Sequence, residues 1–385
     1  MNGGRSRGGV HARAARVALV AALVPRALVA DDAAAPRIRE VEIRSGEVFT
    51  PEEAASGFIP YGLANLLRAK THEGFVRREL LFRQGDVLDP EVLAETERLL
   101  RAYRIFRSVS VRPEGEKVVV ETADAWTLLP RLAVSSRGGA TTFGVGLDEQ
   151  NLLGTGRRVS VRYDRGVERT ERSFQLVDPD SLAPHTSLSI GASDLSDGEL
   201  VDVGVRRPFE SLDAEWAGSV AFHYSLFDRR VYSGGVEEAA FPARSRNVKA
   251  EVGRLVSLSD DRANRLLASV EWSDSRFLPG TGDPLAAPGD RAYLWILGGF
   301  ETEGRRWLKV READRIGRDE DFHVASFLRV QAGGSPRVGR ARPAGFARLY
   351  ASSGAGKPDA FGVLSVSAES RWEDGPRATR VEAAL

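Results

Sequence analysis

Side chains capable of chemistry are present in this sequence but are never arranged for it. The five histidines, His11, His72, His185, His223 and His323, are scattered without the short spacings that metal ligation demands. His223 and His323 alternate with apolar neighbours, which reads as polar positions facing a lumen or lying beside a loop. Ser353-Gly354-Ala355-Gly356-Lys357 glances toward a phosphate loop, but its first glycine is misplaced and Pro358 follows. There is no Gly-x-Ser-x-Gly elbow. The absence of cysteine excludes a thiol nucleophile, a thiolate zinc site and a disulfide frame. Acid pairs such as Asp260-Asp261 and Glu320-Asp321 fall in hydrophilic connections and read as solvated loops. The sequence therefore predicts no enzyme, no metal and no cofactor.

The elements that would carry any function have to be sought in patterning. At 385 residues the chain can hold two or more domains with real cores. Lys+Arg and Asp+Glu both number 54, and this balance argues against a nucleic-acid partner. Arg5, Arg7, Arg13 and Arg16 precede the apolar run Val17–Val24, and small residues around Ala30 follow, the layout of a secretory signal over 1–30. Pro25-Arg26 ends that run far short of the roughly 20 apolar residues a spanning helix needs, and no other segment approaches that length. If the chain crosses a membrane, it does so with strands.

Residues 36–125 read as a small α+β domain. Ile38, Val41 and Ile43 mark a strand ending at Ser45-Gly46. Thr50-Pro51-Glu52-Glu53 has the composition of a helix start, followed by a loop-like insertion spanning about 46–70. Thr71 is placed to cap a helix carrying Phe75, Val76, Leu80 and Leu81, and Gln84-Gly85-Asp86 breaks it. Asp89-Pro90-Glu91 opens the next helix, with Val92, Leu93, Thr96, Leu99, Leu100 and Tyr103 on one face. Phe106, Val109 and Val111 then form a strand that turns at Pro113–Glu116 into Val118–Val120. Two helices over a small sheet leave one edge strand open, a docking surface for extended peptides.

From about Leu132 onward the sequence alternates apolar and polar residues with period two and offers no credible helix. Val159, Val161 and Tyr163 oppose Arg158, Ser160 and Arg162; Val220, Phe222 and Tyr224 oppose Ser219, His223 and Ser225. Gly, Pro and Asp clusters separate the runs. Such strands suit a soluble sandwich or an outer-membrane barrel, since both bury one face. Export, runs of about nine to eleven residues and aromatics near run ends favour the barrel. Those aromatics are Tyr163, Phe209, Trp216, Tyr224, Trp272, Tyr293, Trp307, Tyr350 and Trp372, placed as an interfacial girdle would be.

Two segments carry a family resemblance. Arg77-Arg78-Glu79-Leu80-Leu81-Phe82-Arg83-Gln84-Gly85-Asp86, followed by Thr96-Glu97-Arg98-Leu99-Leu100-Arg101, Phe106 and Val109, resembles a POTRA domain. POTRA domains are periplasmic modules of the BamA, TamA and two-partner-secretion transporter superfamily of outer-membrane barrels. Asn151-Leu152-Leu153-Gly154-Thr155-Gly156 resembles the turn that opens the barrel in that superfamily, with Asn151, Gly154 and Gly156 as its signature. The Val-Arg-Gly-aromatic element of the superfamily is missing, and Arg342-Pro343-Ala344-Gly345-Phe346 is a poor echo of it. The superfamily barrel has about sixteen strands, whereas about 20 residues per strand and connection leaves room for about twelve or thirteen here. The barrel over 130–385 is accordingly expected to be incomplete, the chain stopping in mid-pattern without a terminal aromatic.

The resemblance implies a signal peptide, a β-α-α-β-β POTRA domain in the periplasm and an antiparallel transmembrane β-barrel in outer-membrane lipid. It also implies work on unfolded outer-membrane or secreted polypeptides, captured by strand addition at the edge Phe106, Arg107, Ser108, Val109, Ser110 and Val111. Alternatives are a passive pore or surface antigen, and a soluble periplasmic binding protein with a β-sandwich tail.

Overall fold

The computed structural model describes residues 36–46, 70–137, 139–282, 288–313, 318–373 and 376–384. The expected signal at 1–30 lies outside the described residues, as does nearly all of the 46–70 insertion with its helix start at Thr50.

The first described elements are strand β1 (Glu40–Gly46), helices α1 (Glu73–Arg78) and α2 (Pro90–Ala102), and strands β2 (Phe106–Glu114) and β3 (Lys117–Asp124). Helix α2 begins where the Asp89 carboxylate accepts the Glu91 N–H at 2.8 Å, with Pro90 supplying a helical φ. Leu93, Thr96 and Leu100 are its buried face. Helix α1 starts differently from the sequence reading: its N-cap is His72, which makes no capping side-chain bond, because the Thr71 hydroxyl is turned to Asp124 instead. The sheet order is β1-β3-β2, with β1 parallel and β2 antiparallel to β3. Phe75, Val76, Leu93, Leu100, Phe106, Val118 and Val120 pack between helices and sheet, each full burial contributing about 1.5–3 kcal/mol.

The remainder is strand. The order runs β4 (Leu128–Arg137), β5 (Ala140–Leu152), β6 (Arg157–Arg165), β7 (Thr170–Asp178), β8 (Ser187–Leu195), β9 (Gly198–Arg207) and β10 (Trp216–Ser233). It continues with β11 (Val236–Ser259), β12 (Arg262–Phe277), the short β13 (Thr281–Gly282) and β14 (Arg291–Gly304). Then come β15 (Trp307–Arg311), β16 (Asp319–His323), β17 (Phe327–Ser335), β18 (Ala344–Lys357), β19 (Ala360–Trp372) and β20 (Pro376–Ala384). Fourteen of these form one antiparallel meander from β4 to β20, while β13 pairs with β11 and β15–β16 is a separate hairpin. The number exceeds the expected twelve or thirteen because several turns, such as Gly234-Gly235 and Asp260-Asp261, occupy only two residues. Among the described residues no helix is long and apolar enough to cross a membrane.

Register sorts the two faces. Val159, Leu176, Ile190, Val203, Phe222, Val248, Trp272 and Leu294 are successive partners across eight neighbouring strands. The adjacent row on the other face reads Ser160, Gln175, Gly191, Asp202, His223, Asn247, Ser273 and Tyr293. The polar face is concave. Arg348 on β18 lies 3.6 Å from Glu251 on β11, although four strand spacings in a flat sheet would be about 19 Å. The apolar face is therefore convex, and it is open: Val161 is 53% and Phe222 38% exposed.

The aromatic residues divide between the faces. Trp216 and Trp272 stand on the outward face and are exposed. Three others depart from the girdle expectation. Tyr293 is buried on the concave side, stacked on Trp295 at 5.0 Å; Phe209 lies under Arg265; Trp307 sits in the hairpin under Arg98. Each finds a cation or ring partner inside, so a position near the end of a run did not settle which way it faces.

Candidate functional site

The β5–β6 turn is where the strand-rich part meets the βααββ module. Asn151 Nδ2 donates to Thr71 Oγ1 at 2.8 Å, and its Oδ1 accepts the Gly156 N–H at 2.8 Å. Thr71 passes the connection on, its hydroxyl and its N–H both donating to the Asp124 carboxylate at 2.7 and 2.9 Å. The His72 N–H donates to Gly154 O at 2.9 Å. Asn151, Thr71 and Asp124 are all buried. Gly154 and Gly156 have φ of +72° and +74°, and both are pressed against the module. A Cβ at Gly154 would meet Lys70 O at 2.1 Å, and one at Gly156 would meet the Phe75 ring at 2.4 Å. The structure thus brings Asn151, Gly154 and Gly156 together as the floor of a joint.

A second contact comes from the β7–β8 connection. His185, at φ +59°, places Nδ1 3.0 Å from Glu79 Oε2, and the Tyr103 hydroxyl donates to the same oxygen at 2.5 Å. Glu79 is fully buried, and its Oε1 has no hydrogen-bond partner. The hydrogen bond to Glu79 raises the His185 pKa above the ordinary imidazole value, against the opposing effect of burial. Burial, reinforced by Glu79, pushes the Tyr103 hydroxyl up, keeping it a donor. Arg78 pairs with Asp180 beside this cluster.

The β15–β16 hairpin makes the third contact. Arg101 of α2 grips Asp321 with two bonds of 2.6 and 2.9 Å, and Lys309 Nζ lies 3.3 Å from Glu97. Arg318 donates to the carbonyls of Arg104 and Trp126 at 2.5 and 3.3 Å. The Arg98 guanidinium stacks 4.2 Å over Trp307. Asp321 is therefore not the solvated loop acid that the sequence suggested; it lies on a strand held to a helix 220 residues away.

The expected client edge lies beside this hairpin. Phe106, Val109 and Val111 are buried, Ser108 is exposed, and Arg107 and Ser110 are intermediate. β2 is indeed an edge strand of its sheet. Its Val111 N–H, however, is already donated to Glu97 Oε2 at 3.0 Å. Burial pushes the Glu97 carboxyl up, but the Val111 N–H and the Arg101 and Lys309 charges together hold it below the ordinary carboxylate value. The two histidines read alike from sequence separate here: His223 is on the concave face, 2.7 Å from Asp202, while His323 ends β16 of the separate hairpin, its Nε2 2.8 Å from Gly304 O.

Inside the curl, Arg265 is 1% exposed. It donates to Glu301 and Glu303 at 2.9 and 2.6 Å and to the carbonyls of Ser211 and Leu212 at 3.2 and 3.3 Å. Phe209 lies 4.1 Å beneath it, so the β9–β10 connection is pinned against the concave wall. Thr71, Asp124, Glu79, His185 and the hairpin escaped sequence reasoning. Thr71 carried a signal, but it read as a helix cap; the others carried none, because their partners are distant in sequence.

No family model and no curated protein matches this sequence. Among solved structures, the chain is similar to BamA from Haemophilus ducreyi lacking POTRA domains 1-3, at 10% identity over 86% of this chain and 55% of that one, with a TM-score of 0.36. It is also similar to CdiB from Acinetobacter baumannii, at 10% identity over 89% of this chain and 53% of that one, with a TM-score of 0.43. The chain spans about half the length of each structure it matches.

Proposed function

We propose that this chain is an outer-membrane β-barrel protein with a periplasmic POTRA module, and that it assists the insertion or secretion of polypeptides. The observation that carries the membrane assignment is the inversion of polarity. An unbroken apolar row runs across eight strands on the convex face, with Val203, Phe222, Val248 and Trp272 exposed and the other four half-buried, while charge and amide groups line the concave face. A soluble sandwich would cover that row with a second sheet, and among the described residues none does. Lipid is the solvent that suits such a surface.

The work on polypeptides rests on the module. Its β1-α1-α2-β2-β3 order, with the Arg77–Asp86 stretch running from the end of α1 toward α2, supports the POTRA reading, and the Asn151 joint ties it to the β5–β6 turn of the barrel. A client strand would add to the β2 edge and then reach outer-membrane lipid at the barrel wall. Fractionation and gel mobility test the location: the barrel partitions into detergent and shifts on unheated gels. Crosslinking from Ser108 to an unfolded barrel client tests the activity. Recovery as a detergent-indifferent soluble protein would overturn the assignment.

One observation favours the passive alternative, a pore or surface antigen. The Val111 amide that a client strand would use is occupied by Glu97. A measured conductance with no client crosslink would decide for it.

A further inference from the structure

Glu97 links two features that have no reason to meet by chance of packing. Its Oε2 accepts the Val111 N–H at 3.0 Å, and its other oxygen faces Arg101 and, at 3.3 Å, Lys309 from strand β15. An amide donated to a side chain is not donated to β3, so Val111 points its N–H out of the open edge of the sheet. Pro113, two residues further, has the same orientation and no N–H to offer. The outward edge of β2 is thus blunted at both positions, once by a residue that cannot donate and once by a carboxylate that the hairpin helps to hold.

Toward the module the hairpin is held by polar contacts, Arg101–Asp321, Lys309–Glu97 and Arg318 on two carbonyls, with Arg98 over Trp307; toward the sheet its Phe322 packs on Phe361 of β19 at 4.7 Å. Behind it lies a cavity of about 270 Å³ lined by Arg98, Leu99, Phe106, Trp307 and Phe322, so the contact is not close-packed. Polar, replaceable contacts over an unfilled space are the construction of a cover that can leave.

We propose that the β15–β16 hairpin is an autoinhibitory cover: docked, it holds Glu97 on Val111 and closes the β2 edge; released, it frees the edge for an incoming strand. This rests on the reading that β2 receives client strands, and it adds the condition under which it does so. The partner is an extended polypeptide segment, recognised by backbone hydrogen bonds.

The test uses the full chain in detergent with Lys309→Glu and Asp321→Arg combined, which sets like charges against Glu97 and Arg101. Hydrogen exchange is followed in peptides covering 307–323, β2 and, as a folding control, β3. Release of the hairpin is expected to speed its own exchange and that of the Val111 amide about tenfold, the loss of one charge-assisted bond. Restoring Lys309 while keeping Asp321→Arg, which returns one cation to Glu97, should slow both in part. Unchanged exchange in β2, whether or not the hairpin loosens, overturns the cover. In parallel, Ser108→Cys is trapped by disulfide formation with a synthetic strand peptide of alternating apolar and polar residues bearing one cysteine. Higher yield on release supports the cover acting on client docking. If β2 opens yet no peptide is trapped in either protein, the cover stands and the client reading fails.

Discussion

Glu79 and His185 lie 106 residues apart, one on the module and one on a connection of the sheet, and they meet with Nδ1 3.0 Å from Oε2. The carboxylate is wholly buried; its Oε1 has no hydrogen-bond partner, and its Oε2 is shared by His185 and the Tyr103 hydroxyl, so losing either contact would leave a buried polar group poorly satisfied. Tyr103, Asp180, Arg158, Arg207 and Glu210 also act on the cluster.

Docking at this point therefore carries a pH dependence of known sign. The His185 pKa is raised in the docked state, so its contribution is complete below the free value of about 6.5 and is lost as pH rises through the docked value. Exchange of the 180–186 segment, corrected for intrinsic rate, should be slower near pH 6 than near pH 8.5. His185→Gln should remove this difference and weaken docking by about 1–2 kcal/mol. An identical pH profile in the variant would show that another group is responsible.

At the joint, Asn151→Ala strands the buried Gly156 N–H and removes one of the two bonds of the Thr71 hydroxyl, which keeps its bond to Asp124. The expected loss is about 1–3 kcal/mol, read as a lower unfolding temperature in detergent. Gly156→Ala should cost at least as much, since it adds a Cβ against Phe75 at positive φ.

The two faces of β11 give a paired test of the membrane assignment. Val248→Arg puts a charge on the outward row, at an expected cost of about 2–4 kcal/mol near the bilayer midplane, and should reduce the heat-shifted folded band. Asn247→Arg, one residue away on the concave face, should leave that band intact. Equal tolerance of both would count against a lipid-facing wall.

Arg265→Met keeps the stem over Phe209 but takes the nearest cation from the buried Glu301, leaving it Arg329 at 3.6 Å, and from the half-buried Glu303. A loss of about 3–5 kcal/mol is expected, and Arg265→Met combined with Glu301→Gln should recover part of it. Thermal unfolding of the three proteins settles the point.

What the sequence determined by itself was local and periodic. The Asp89-Pro90-Glu91 cap, the buried face of α2 and the turns at Gly234-Gly235 and Leu153–Gly156 are decided by neighbours within a few residues. So is the alternation that puts Phe222 and His223 on opposite faces, because strand side chains have period two. The tertiary structure alone decided which face is concave, that Thr71 serves Asp124 and Asn151 rather than its helix, and that Glu97 reaches Val111 while Lys309 reaches Glu97. Those pairs are joined across tens to hundreds of residues by the path of the sheet. Nothing in a short window of sequence encodes which distant carboxylate a given arginine or amide will find.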